Sequence, residues 1–149
     1  LPLFAGLVHR ELWFLRFASR AAVGVVLGVP AVALGITTTR LGWGTSIEAA
    51  AGVGLAMAGM AVAVLHVRIA LETKRDPVTR VLLGVAGASL FFGMVLAALY
   101  ATRASVTLLP WLGIPQMRML HGTVNAIGFG LCGVLAWRRM VAAAPQGVA

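Results

Sequence analysis

His121 and Asn125 lie four positions apart inside an apolar run, a spacing that projects both side chains from one face of a helix. An imidazole there can act as general base or proton shuttle, with the neighbouring amide orienting it or a bound molecule. Glu48 and Tyr100 stand at the ends of two further apolar runs, and Thr37 and Thr38 at the end of another. If the runs alternate in direction, all of these groups reach one depth. The candidate catalytic set is therefore His121, Asn125, Glu48 and Tyr100, with Glu48 as a proton source. Each also has a purely structural reading. Glu48 closes the capping box of Thr45-Ser46-Ile47-Glu48, Tyr100 is an interfacial aromatic, and Asn125 is a hydrogen-bonding staple between helices.

The elements that must position these groups are membrane helices. The chain has 149 residues, is 60% hydrophobic and still has a net charge of +8, with a mean hydropathy of +0.97. A soluble domain of this size has too much surface for its volume to hide so many apolar side chains. About 20 apolar residues in a helix cross a bilayer, and four segments meet that length: Ala18–Ile36, Ile47–Leu71, Val78–Ala101 and Met117–Trp137. The fold class is all-α, a bundle of four transmembrane helices over residues 18–140. Pro30 predicts a kink in the first. Residues 1–17 read as an interfacial helix with Trp13, Phe14 and Phe17 dipping into lipid, or as the tail of a helix further upstream. Residues 141–149 read as a flexible cytoplasmic tail.

Charge sets the orientation. Arg10, Arg16, Arg20, Arg68, Lys74, Arg75, Arg80, Arg138 and Arg139 fall on one side, and only Arg40, Arg103 and Arg118 on the other. The positive-inside rule makes the first side cytoplasmic, with both ends of the chain there. Trp13 and Trp137 mark the inner edge, Trp43 and Trp111 the outer. Because the arginines sit at the ends of apolar runs without interleaved exposed aromatics, the charge speaks for topology and against nucleic acid.

Cys132 is the only cysteine, which excludes a disulfide or a cysteine-based metal site within one chain. His66 suggests haem ligation with His121. The two histidines fall near opposite ends of helices running the same way, roughly 20 Å apart in depth, so one chain cannot clamp a haem between them. A tetrapyrrole on one histidine, or one shared with another subunit, stays open, and the cofactor is unknown. Small residues form stripes in the second helix (Ala49, Gly52, Ala56, Gly59, Ala63, His66, Ala70) and the fourth (Gly122, Ala126, Gly130), as close helix packing or dimerisation in lipid requires. The apolar loop Thr102–Gln116, broken by Pro110 and Pro115, lies along the interface or folds as a lid over the polar cluster.

The run Met117-x-x-x-His121-Gly122-x-x-Asn125-Ala126-x-Gly128-Phe129, followed by Gly133 and Trp137, resembles the YndJ-like family of bacterial membrane proteins. Ser89-Leu90, Gly93-Met94, Leu96-Ala97, Tyr100-Ala101 and Glu48 extend the resemblance over roughly Ser19 to Met140. It implies a multi-pass protein of the bacterial inner membrane. Family members are longer, with further helices ahead of the matched region, which implies an upstream half, another membrane subunit or a homo-oligomer as partner. Three function classes follow. One is an acid–base enzyme, or half of one, acting on a lipid or isoprenoid-like substrate in an outer-leaflet pocket. The second is a transporter or permease subunit, and the third a non-catalytic subunit of a larger complex that holds haem or pigment. The first uses the most residues.

Overall fold

The computed structural model describes residues 12–72, 76–106 and 108–143. Four helices follow one another: α1 (Leu12–Arg40), α2 (Ser46–Glu72), α3 (Pro77–Ala101) and α4 (Ile114–Ala142), each long and apolar enough to cross a membrane. No strand occurs among the described residues. The shortest, α3, has 25 residues and so spans about 37 Å, more than the hydrocarbon core. The chain is an all-α, multi-pass integral membrane protein. Leu27, Leu34, Met57, Phe91, Phe92 and Leu131 are exposed, an arrangement stable only where lipid replaces water.

Each helix packs on the next in sequence. The α2 stripe does what its spacing requires: Gly52, Ala56, Gly59, Ala63, His66 and Ala70 are all buried. A Cβ at Gly35 of α1 would stand 2.6 Å from the Glu48 Cα, and one at Gly87 of α3 would stand 2.9 Å from the Ala63 carbonyl oxygen. Lipid tails are as apolar as the side chains, so close packing of this kind holds the helices together in place of a hydrophobic drive. The tightest core, including Phe14, Leu65, Leu83 and Met140, sits at the arginine-rich end.

Two expectations change near that end. Residues 1–11 lie outside the described residues, but from Leu12 the chain is already the continuous start of α1. Phe14 turns inward, 1% exposed, instead of dipping into lipid. Trp13 stays outside, its ring edge-on to Phe14 at 5.7 Å with the Arg68 guanidinium 5.6 Å above it. Of the tail, residues 141 and 142 complete α4, and 144–149 lie outside the described residues.

The helix α4 is wound wider than an α-helix. Arg118–Gly122 and Val124–Leu131 are π-helical. Met117, His121, Asn125, Phe129 and Gly133 are each half-buried, a row stepping by four. At 100° per residue, a four-residue step overshoots the turn by about 40°, and four steps would carry the row to the far side of the helix. The longer i→i+5 ring of the π-helix takes more residues per turn, so the row stays against α3. The Gly122–Ala126–Gly130 stripe is consequently not a packing seam within the chain. Gly122 and Ala126 are exposed, and a Cβ at Gly122 would meet nothing within 4 Å. Gly128, lying on Ser89, makes the close approach instead; a Cβ at Gly133 would be in ordinary contact, 3.9 Å from the Ala86 Cβ.

Candidate functional site

The four candidate residues separate into two clusters. On α4, His121 Nδ1 lies 2.8 Å from the Gly93 carbonyl oxygen of α3. A carbonyl only accepts, so Nδ1 carries the hydrogen and donates it, leaving Nε2 as the basic nitrogen of the neutral ring. The Asn125 Nδ2 stands 3.2 Å from Nε2 and 3.4 Å from Nδ1, and donates to the former. Gly93 makes room for this pair: a Cβ there would lie 2.6 Å from Asn125 Oδ1 and 2.7 Å from its Nδ2. Asn125 Oδ1 is buried without a hydrogen-bond partner, an acceptor that costs free energy to leave unused.

Glu48 and Tyr100 meet elsewhere, through a residue the sequence reading counted only as a topological charge. Arg103, three positions past Tyr100, donates from Nη1 to Glu48 Oε1 at 3.0 Å and to the Tyr100 carbonyl at 2.7 Å. Its guanidinium lies 3.9 Å from the centroid of the Tyr100 ring, a cation–π contact. Glu48 is 7% exposed, and its carboxylate goes to this arginine instead of back to Thr45 in a capping box. The signal was available: a lone arginine just beyond α3, at the same end of the bundle as a lone glutamate beginning α2. Thr37 and Thr38 bond back to their own helix, through the Ala33 and Gly35 carbonyls at 2.9 Å each, and bring nothing to either cluster.

The expected single depth therefore becomes two levels. His121 contacts Gly93, which lies seven residues from Tyr100 on α3, or about 10 Å along the axis. Part of the reason is the start of α4: it begins at Ile114, three residues before the expected Met117, which accounts for about 4.5 Å of the difference. His66 is also nearer than expected. A Cβ at Gly87 would lie 3.2 Å from the His66 Cβ, so the two histidines sit six α3 residues apart, about 9 Å rather than 20 Å. They keep different partners. His66 Nδ1 bonds the Val62 carbonyl at 2.9 Å, and its ring meets Phe129 edge-on at 5.4 Å. Among the described residues, no group of three or more His, Cys, Asp or Glu is placed to hold a metal.

His121 and Asn125 open onto a crevice of about 470 Å³ between α1 and α4, backed by α2 and α3. Val25, Val26 and Val29 form its α1 side, Leu55 and Val62 its α2 side, Leu90 and Met94 its α3 side, and Phe129 lies on α4 below the polar pair. Val26 and Val29 are 70% and 57% exposed, so the crevice opens sideways into the apolar surroundings. Neither Glu48 nor Tyr100 lines it, nor does any described residue of the 102–113 loop. Leu112 is buried while Trp111 points out, as for a loop anchored by its own side chains. A mostly apolar cavity with a few convergent polar groups is the usual form of a small-molecule site.

Compared with known protein families, residues 1–129 match the YndJ-like protein family. The matched region holds His121 and Asn125 and ends at Phe129. No curated protein and no solved structure matches the chain.

Proposed function

As the chain belongs to the YndJ-like protein family, we propose that it is a membrane-embedded protein that admits a lipid- or isoprenoid-like molecule to the α1–α4 crevice and performs acid–base chemistry on it with His121. One observation supports this reading: among the described residues lining the crevice, only His121 and Asn125 are polar, and they stand together. In this mechanism the Gly93 carbonyl holds Nδ1–H, and a bound X–H group displaces the Asn125 amide from Nε2, which then accepts the proton and later returns it. Asn125 keeps the ring in place. Glu48, Tyr100 and Arg103 tie α2 to α3 and stay outside the reaction.

We assign the chain to a bacterial inner membrane with the arginine-rich end in the cytoplasm, because nine of the twelve lysines and arginines fall there. An upstream half or a second subunit completes the bundle. The best 18-residue windows of α1 and α4 have 17% and 6% of their residues buried, against 39% in α2 and α3. Cysteines introduced at Thr73 and Ser105 in a Cys132→Ala background test the orientation. An impermeant thiol reagent on intact cells labels position 105 and spares 73; the reverse pattern refutes it.

The chemistry is tested in nanodiscs carrying a diazirine-bearing prenyl or acyl probe. Crosslinks should map to Val26, Val29, Met94 or Phe129 in wild type and in His121→Gln alike. A mass change in the probe lipid should appear only with wild type. Absence of crevice crosslinks removes the binding claim, and equal conversion by His121→Gln removes the acid–base claim.

A further inference from the structure

A second groove runs on the outside of the bundle, between the arginine-rich ends of α2 and α3. It has a volume of about 320 Å³, with Val67 and Leu71 along one wall, Val81 along the other, and Ala70 and Gly84 among its lining. A Cβ at Gly84 would meet nothing within 4 Å, so the glycine leaves the groove open there. Among the described residues lining it, the one charged group is Arg80, in the first turn of α3.

Among the described residues Arg80 has no counterion, and the charges show why. The chain has four acidic residues against twelve basic ones. The three described carboxylates are each committed: Glu48 to Arg103 at 3.0 Å, Glu72 to Arg68 at 3.8 Å, and Asp76 to Arg139 at 2.8 Å. None of them is paired with Arg80, which is exposed at the end of a membrane-spanning helix. A long basic side chain so placed extends toward the headgroup level. The groove beneath it is apolar and of a width between two helices. Together these features describe a molecule with an anionic head and a hydrocarbon tail.

We propose that this groove seats one anionic phospholipid, its phosphate on Arg80 and an acyl chain along Val67, Leu71, Val81 and the opening at Gly84. The seat is independent of the His121 crevice, which lies on the other side of the α2–α3 pair and takes no charged group.

The test uses the full chain in mild detergent, titrated with phosphatidylglycerol or phosphatidylcholine of equal chain length, with retained lipid counted by native mass spectrometry. Phosphatidylglycerol is retained in preference to phosphatidylcholine. Arg80→Gln weakens that retention about fivefold, the effect of one basic residue at an anionic headgroup. Arg138→Gln, the same loss of charge outside the groove, leaves it unchanged. Gly84→Leu fills the groove and lowers retention while helicity by circular dichroism holds. Equal retention of the two lipids, or equal effects of Arg80→Gln and Arg138→Gln, overturns the proposal. Undiminished binding by Gly84→Leu overturns the acyl-chain half of it.

Discussion

Gly93 is where the architecture of the His121 pair can be tested most directly, because one methyl group should disrupt it. A Cβ at Gly93 would stand 2.6 Å from Asn125 Oδ1, 2.7 Å from Nδ2 and 2.9 Å from Cγ, all inside contact distance. Either Asn125 leaves its rotamer or α3 and α4 separate. Forcing a methyl into such a site costs about 1–3 kcal/mol. Displacing Asn125 adds the loss of its hydrogen bond to His121, about 0.5–1 kcal/mol net. Alanine offsets up to ~1 kcal/mol of this by its better helix propensity. The overlap wins, and Gly93→Ala should lose about 1–2 kcal/mol.

Reversible unfolding of the purified chain in mixed micelles, followed by circular dichroism, measures that loss. Gly84→Ala is the control: its Cβ meets nothing within 4 Å, so propensity alone acts and stability should hold or rise. Asn125→Ala in the Gly93→Ala background removes the obstructing amide. The two changes should therefore couple by about 1 kcal/mol or more rather than add. A Gly93→Ala protein as stable as wild type, or strict additivity with Asn125→Ala, refutes the argument that Gly93 exists to seat this amide.

Three further outcomes follow from the contacts. In ¹⁵N spectra of histidine-labelled protein, both His66 and His121 should be Nδ1–H tautomers, since each Nδ1 faces a backbone carbonyl; His121→Gln should remove one such signal, and an Nε2–H His121 would contradict the assigned base. Arg103→Ala should cost about 1–3 kcal/mol, below the usual 3–5 for a broken buried pair because the Arg103 side chain is 40% exposed against 10% for Glu48, and adding Glu48→Gln should recover part of it; no recovery would mean that Arg103 acts only through Tyr100. The Arg139 guanidinium holds the Asp76 carboxyl below its ordinary value, so this tie stabilises the fold fully above about pH 4 and fades as pH falls through the depressed value. Asparagine keeps the helix cap, so an Asp76→Asn protein should be less stable at neutral pH and converge on wild type in acid; a gap that persists unchanged in strong acid would exclude this linkage.

Hydrophobicity and charge made the helices legible because lipid imposes a coarse rule: long apolar runs must close their backbone hydrogen bonds within themselves. Each helix was located to within six residues at either end, and the α2 stripe of Gly52, Ala56, Gly59 and Ala63 was read as a packing surface. The pairing of His121 with Asn125 was legible because a four-residue step is a contact in any helix near 3.6 residues per turn. Their separation from Glu48 and Tyr100 was not, because depth depends on where a helix starts in space. The Thr102–Gly113 loop hid that start behind apolar residues. Arg103 was hidden for a related reason: in sequence its charge marks only a side of the membrane, and its bond to Glu48, 55 residues away, depends on how α2 and α3 align.

The winding of α4 links these two levels of legibility. Met117, His121, Asn125, Phe129, Gly133 and Trp137 form an unbroken four-residue row, which an α-helix would wrap progressively away from any straight neighbour. Kept straight by π turns, the row applies four of its members to α3 and the crevice before α-helical winding resumes at Cys132. Burial then passes to Ala136 and Met140, and Trp137 turns outward at 44% exposed. The wide turns cost hydrogen-bond geometry, and packing of small residues repays them: Gly93 under Asn125, and Gly128 on Ser89. The row thus sets Nδ1 of His121 against a backbone carbonyl and Nε2 in a hydrogen bond from the Asn125 amide, at one wall of an apolar crevice. A helix of ordinary pitch with the same sequence would rotate Phe129 about 80° and Gly133 about 120° away from His121, spreading the row around the helix instead of holding it along α3.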